Sequence, residues 1–308
     1  MNFFLRKEEW LQIEAFGKDQ NRFLTAGILT GKLVSFGVAY FLLMYLTVDY
    51  LGKSFPSYID TSIFKDLSNA SPEILSLIEF LQILISIPLL LIFWKFWEKR
   101  NIEDLGFDFK NFLRQVSMGC ILGILLITPG FFILLLTQNL RILSFEFPVD
   151  QILPWLFFFF LVAFFEELIF RGYVLSVISG YFSVRSGVLL SSLLFSLVHL
   201  SNPDTTTIGL VNIFLVGIIN GVLFIKTGNL WAPMGAHWTW NFFQGIVYGF
   251  DVSGFKFPKI LRTEISGPEV LTGGEFGLEG SILVSLLFLS FLVFHTEFIR
   301  KPNLFKTL

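Results

Sequence analysis

The chain has 308 residues, of which 54% are hydrophobic and 15% charged, with a formal net charge of −2. A typical soluble domain is about one-quarter charged, and no soluble fold of this size has interior enough for 40 Phe and 7 Trp. This excludes intrinsic disorder, a secreted disulfide scaffold and a soluble nucleic-acid binder, and predicts a polytopic all-α membrane protein surrounded by lipid.

Along the chain, the first 23 residues are polar, with Trp10 and Phe16 as interface anchors. They lack the apolar h-region of a signal peptide and are expected to remain on the mature protein. A crossing helix needs about 20 largely apolar residues. Eight stretches qualify, near 28–48, 74–94, 116–138, 152–176, 184–202, 208–226, 232–250 and 280–299. Their apolar runs are continuous rather than alternating, which disfavours a β-barrel. Lys and Arg flanking the spans number 14 on one side and 6 on the other. The richer side reads as cytoplasmic, which places both termini there.

Several residues along this path have plain structural readings. Lys32, in the first span, can snorkel to the interface, and Glu79 in the second can snorkel or make a polar helix contact. Cys120, the one cysteine, sits beside Gly119 and Gly123 and reads as a small packing residue. Phe157 to Phe160 reads as lipid-facing bulk. Trp238 and Trp240 read as helix-packing residues that also have access to a cleft. His295 reads as a structural residue near the inner interface. The segment 251–279 is rich in Gly and Pro and longer than an ordinary connection, so it is either functional or mobile.

Ionisable groups in hydrocarbon are costly, about 2.5–3.5 kcal/mol each on insertion scales. The fourth span nevertheless carries Phe164-Phe-Glu-Glu-Leu-Ile-Phe-Arg171. Glu167 and Arg171 stand at i,i+4 with the acid first, the order that favours an ion pair. Glu166 is rotated about 100° away. One carboxylate is thus neutralised and the other is available as a general base, although a purely structural cluster of all three also satisfies the pattern. The fifth span ends in Phe195-Ser-Leu-Val-His199, and the seventh carries His237-Trp-Thr-Trp-Asn241. A lone His on an apolar helix is as readily a core residue as a catalyst. His237 and Asn241 share one face at i,i+4.

Depth groups these residues. Glu166 lies about 14 residues before the cytoplasmic 180–187 loop and His199 about 12 after it, which is roughly 20 and 18 Å along a helix. Asn241 lies about 13 residues past the turn near Gly228, again roughly 20 Å. His237 is one turn shallower.

The ordered set Glu-Glu-x-x-x-Arg, Phe-x-x-x-His and His-x-x-x-Asn resembles the CPBP family, also called the ABI or CAAX-protease family, which includes type II CAAX prenyl proteases. The flanks Phe170-Arg-Gly172, His199-Leu-Ser-Asn-Pro203, Gly228-Asn-Leu-Trp-Ala-Pro233 and Thr272-Gly-Gly-Glu275 are similar to bacterial members. The specific resemblance covers about 152–250. It implies an eight-helix intramembrane endopeptidase with a conical active-site cavity, in a prokaryotic inner membrane, acting on a membrane-associated protein or peptide. It divides the chain into an N-terminal segment with three spans (1–150), a catalytic core (151–250) and a loop with the last span (251–308). Glu166 and His199 would activate water, His237 and Asn241 would steady the oxyanion, and Glu167 and Arg171 would support them.

The family is described both as metallo-type and as glutamate-type. A zinc-protease helix offers His-x-x-x-His with Glu between, and here the second position is Asn241, a poor zinc ligand. No tightly bound cofactor is expected. If zinc is held, the set would be Glu166, His199 and His237. Family members also act without catalysis, so a membrane scaffold or a bacteriocin self-immunity protein is the alternative. A transporter is disfavoured because no inverted repeat is visible. The sequence does not select a prenyl chain, nor does it carry a signal of oligomeric state.

Overall fold

A computed structural model of the chain describes residues 22–54, 72–147 and 149–300. Trp10 and Phe16 lie outside the described residues, as does the side chain of His295. The fold is all-α and polytopic. In chain order the helices are α1 (Arg22–Ser54), α2 (Pro72–Ile92), α3 (Phe112–Leu136), α4 (Val149–Glu167), α5 (Ser176–Tyr181), α6 (Val184–Val198), α7 (Thr207–Thr227), α8 (Trp231–Phe242), α9 (Glu269–Thr272) and α10 (Ile282–Arg300). Helices stand at all eight predicted places. Among the described residues, six are long and apolar enough to cross a membrane. Of the other two, α8 has 12 residues and is prolonged by a π-helical turn, Phe243–Val247. The apolar stretch of α10 is described over Ile282–Phe294.

The fourth span is one helix to Glu167, then a π-helical stretch, Leu168–Leu175, and then α5. A wide turn of this kind recurs at functional sites, and here it begins immediately after the paired acids.

Helix α8 crosses α3 at backbone contact. A Cβ at Gly119 would meet the Ala232 carbonyl, one at Gly123 the Ala236 carbonyl, and one at Gly235 would stand 2.6 Å from Val116 O. Small residues let backbones approach this closely in lipid, where packing rather than water exclusion holds helices together. Cys120 lies half-buried in this crossing, as a packing residue should.

The structure corrects two of these readings and adds an element. Lys32 does not snorkel: it is 8% exposed, and its Nζ donates to Glu98 Oε1 at 2.8 Å. The Phe157–Phe160 run is not simply lipid-facing. Phe157 is exposed, but Phe158 and Phe159 are buried and pack on Phe257 with ring centroids 6.0 and 4.8 Å away. Alongside the helices stands a two-stranded antiparallel ribbon that the apolar periodicity did not signal. It pairs β1 (Leu140–Phe145) with β2 (Leu261–Ile265).

That ribbon anchors the long connection between α8 and α10. Much of the rest of the connection packs into the bundle. Gln244 Nε2 donates to Asp251 O at 2.8 Å, and Asn212 Nδ2 donates to Glu279 O and Ser281 O at 2.7 and 2.8 Å. Phe276 and Leu278 are fully buried. At Gly277 the backbone has φ +98° and its Cα side abuts Asp251 O, so only glycine fits there.

Candidate active site

The apolar clusters around Ile127 and Phe288, Trp155 and Phe159, and Phe195 and Phe276 enclose a cavity of about 310 Å³. Its lining includes Glu166, His199, His237 and Asn241, so the structure brings all four of these predicted residues to one space. It draws on elements from the whole chain: Glu79 of α2, Gly123 of α3, Asn220 of α7, and Ser253 and Glu279 of the 251–281 segment also line it. Glu79 therefore faces the cavity, and the snorkelling reading is replaced.

Glu166 stands between two imidazoles. Its Oε1 is 4.0 Å from His199 Nε2, and its Oε2 is 3.5 Å from His237 Nε2. It remains about one-fifth exposed to the cavity. His199 begins the short 3₁₀ turn His199–Ser201 at the end of α6. Its Nδ1 lies 2.7 Å from Phe195 O. A carbonyl only accepts, so Nδ1 carries the hydrogen and Nε2 is left to face Glu166. The Phe195 ring lies edge-on at 4.8 Å. The Phe-x-x-x-His spacing is thus a local device: one turn of helix supplies both the carbonyl and the ring that set the imidazole.

Glu167 faces the other way and is completely buried. Its Oε1 accepts from Arg171 Nη1 at 3.0 Å, Asn220 Nδ2 at 3.0 Å and His237 Nδ1 at 2.9 Å. The i,i+4 pair expected from the sequence is present, with both side chains fully buried. Arg171 is held further by Gly217 O at 3.3 Å and by the Phe195 ring, 4.5 Å from its guanidinium carbon. Glu167 Oε2, Arg171 Nε and Asn220 Oδ1 have no hydrogen-bond partner. The consequence for His237 is directional. Its Nδ1–H is spent on Glu167, which fixes the ring and turns Nε2 toward Glu166.

Asn241, one turn beyond His237, is buried and lines the cavity. Trp240 also lines it and packs on Phe288 at 5.1 Å, while Trp238 Nε1 donates to Leu156 O at 2.8 Å. Both tryptophans tie helices together, as read from the sequence. Among the described residues, no three His, Cys, Asp or Glu side chains form a group that could hold a metal ion. The arrangement offers one carboxylate flanked by two oriented imidazoles, a side-chain amide close by, and a second carboxylate neutralised from behind.

Residues 148–243 match the family described as type II CAAX prenyl endopeptidase Rce1-like. The match is confined to this segment, less than one third of the chain. The Rce1-like segment covers Glu166, Glu167, Arg171, His199, His237 and Asn241, and leaves out Glu79, Ser253 and Glu279. The chain is also similar to an uncharacterized 24.3 kDa protein of Escherichia coli, 37% identical over 90 residues. That match covers 29% of this chain and 41% of the relative, so the likeness spans about two-fifths of the relative's length. No solved structure matches the chain.

Sequence reasoning missed Asn220, Ser253 and Glu279. Asn220 had a signal: an amide inside an apolar span demands a partner. Glu279 and Ser253 had none, because nothing in a Gly-rich connection says that it folds back into the bundle.

Proposed function

We propose that this chain is an intramembrane endopeptidase that hydrolyses a peptide bond of a membrane-associated or CAAX-like protein by glutamate-activated water. The observation that supports this reading most is the division of labour between adjacent acids. Glu166 lies between His199 Nε2 and His237 Nε2, while Glu167 is neutralised by Arg171.

In the proposed reaction a water lodges against Glu166 and His199. The carboxylate takes a proton as the water oxygen attacks the scissile carbonyl carbon. The carbonyl oxygen becomes an oxyanion. His237, through Nε2–H when protonated, and the Asn241 amide donate to it. The C–N bond then breaks, and Glu166 returns its proton to the leaving amine. The products are a carboxylic acid and an amine. Glu167, Arg171 and Asn220 support the reaction by holding His237. No step is routed through a metal. Glu166, His199 and His237, the set that zinc would need, do not stand as a metal-holding group among the described residues.

The excess of Lys and Arg on one side supports cytoplasmic termini, and the likeness to a protein of Escherichia coli supports a prokaryotic cell membrane. The test is cleavage of a quenched peptide library, including farnesylated peptides, by purified wild-type and Glu166→Ala protein, with zinc measured by elemental analysis. Cleavage by wild type alone supports the reading. Zinc near one per chain would replace the metal-free mechanism. A cellular role that survives Glu166→Ala would instead favour the scaffold or self-immunity alternative.

A further inference from the structure

The cavity is acidic beyond what the proposed chemistry uses. Besides Glu166, it is lined by Glu79 and Glu279, both outside the Rce1-like segment. Among the described residues, no Lys or Arg lines it. Arg171 is wholly buried behind it and is committed to Glu167.

The two extra carboxylates are incompletely satisfied from within the protein. Glu79 Oε1 receives one long contact, from Gln82 Nε2 at 3.5 Å, and Gln82 is oriented in turn by Tyr40 Oη at 3.1 Å. Glu79 Oε2 is buried with no hydrogen-bond partner. Glu279 Oε1 accepts from the Ser253 N–H and from the Ser253 hydroxyl at 2.7 Å. These are neutral donors, and Glu279 has no ion pair among the described residues. A buried carboxylate without a full set of donors is costly. A ligand that brings a cation or N–H groups supplies what is missing. A ligand that brings an anion meets three carboxylates and, among the described residues, no Lys or Arg.

We propose that the cavity selects a peptide segment with a basic side chain, Lys or Arg, close to the bond placed at Glu166, with Glu79 and Glu279 as its acceptors. It disfavours a free C-terminal carboxylate at the same place. Calling that segment a substrate rests on the protease reading. The charge preference is a property of binding and needs no cleavage.

The test measures binding to the full-length Glu166→Gln protein in a non-ionic detergent, so that turnover does not intrude. The probes are fluorescent apolar decapeptides whose central residue is Lys, norleucine or Glu, each as a C-terminal amide and as a free acid. Lys and norleucine have similar stems and differ in charge. The Lys peptide should bind about tenfold tighter than the norleucine peptide, the scale of one partly shielded ion pair. The Glu peptide should bind weakest, and a short peptide ending at the central residue should bind better as amide than as acid. Adding Glu79→Gln or Glu279→Gln should each lower the preference for Lys over norleucine severalfold. The Lys–norleucine contrast needs no further variant, so it still decides if Glu279→Gln fails to fold.

Equal binding of Lys and norleucine peptides would overturn the proposal. So would a Lys preference that survives both Gln variants, or no peptide binding at all. A Lys preference without cleavage by the wild-type chain would sink the protease reading and leave this inference standing. Cleavage without charge preference would do the reverse.

Discussion

Glu166 and Glu167 are consecutive residues whose carboxylates meet opposite surroundings. Glu167 is fully buried and receives three donors on one oxygen. Glu166 opens to the cavity between two imidazole nitrogens. One helical step of about 100° separates them. That step sends one acid to the α7 side, where Asn220 and the Gly217 carbonyl await, and the other to the space between α6 and α8.

The first prediction concerns the acid that faces the cavity. Glu166→Gln keeps the shape and removes the base. Cleavage should fall by roughly 10²- to 10⁴-fold, the usual yield of general-base catalysis. Thermal unfolding in detergent should stay near that of wild type, since Glu166 accepts no hydrogen bond from the described residues and stands 3.5 and 4.0 Å from the two imidazoles. A variant that cleaves at the wild-type rate would remove Glu166 from the mechanism.

The second concerns Arg171. Arg171→Ala leaves Glu167 buried and short of its counter-charge, which costs about 3–5 kcal/mol for a buried pair. Arg171→Lys should not restore stability. A single ammonium cannot reach both Glu167 Oε1 and Gly217 O while stacking on Phe195. Chemical or thermal unfolding of the two variants decides the point.

Asn220 carries the third. Its amide and His237 Nδ1 share one oxygen of Glu167. Asn220→Leu should lower kcat about tenfold with KM little changed, because Glu167 then shifts and His237 loses its alignment. Equal loss in stability and in activity, with KM rising, would mark a merely structural role.

The fourth tests the crossing that places α8. Gly119→Leu drives a side chain into the Ala232 carbonyl. Overpacking of this kind costs about 1–3 kcal/mol, and here it also moves the helix that carries His237 and Asn241. Both melting temperature and cleavage should fall. Gly27, which has open space around it in α1, should tolerate the same change.

Much of this was legible in the chain. Apolar runs of bilayer length mark helices wherever they occur, because a backbone in lipid must bond within its own segment. Charges in such runs are rare enough to stand out, and this exposed Glu166, Glu167, Arg171, His199, His237 and Asn241 before any coordinates. Spacing at i,i+4 settled the Glu167–Arg171 pair because helix geometry is local.

What local geometry does not encode was decided only by the tertiary structure. Lys32 snorkels or pairs according to whether Glu98 arrives beside it, and Glu98 is 66 residues away. Phe158 and Phe159 face inward because Phe257 folds back over them. Glu79 and Glu279 share one cavity although 200 positions separate them. Composition and periodicity are sums over neighbours in the chain, so they report which segments enter the membrane and which faces are polar. Which polar face meets which is set by helix packing, and through it by close contacts such as those at Gly119, Gly123 and Gly235.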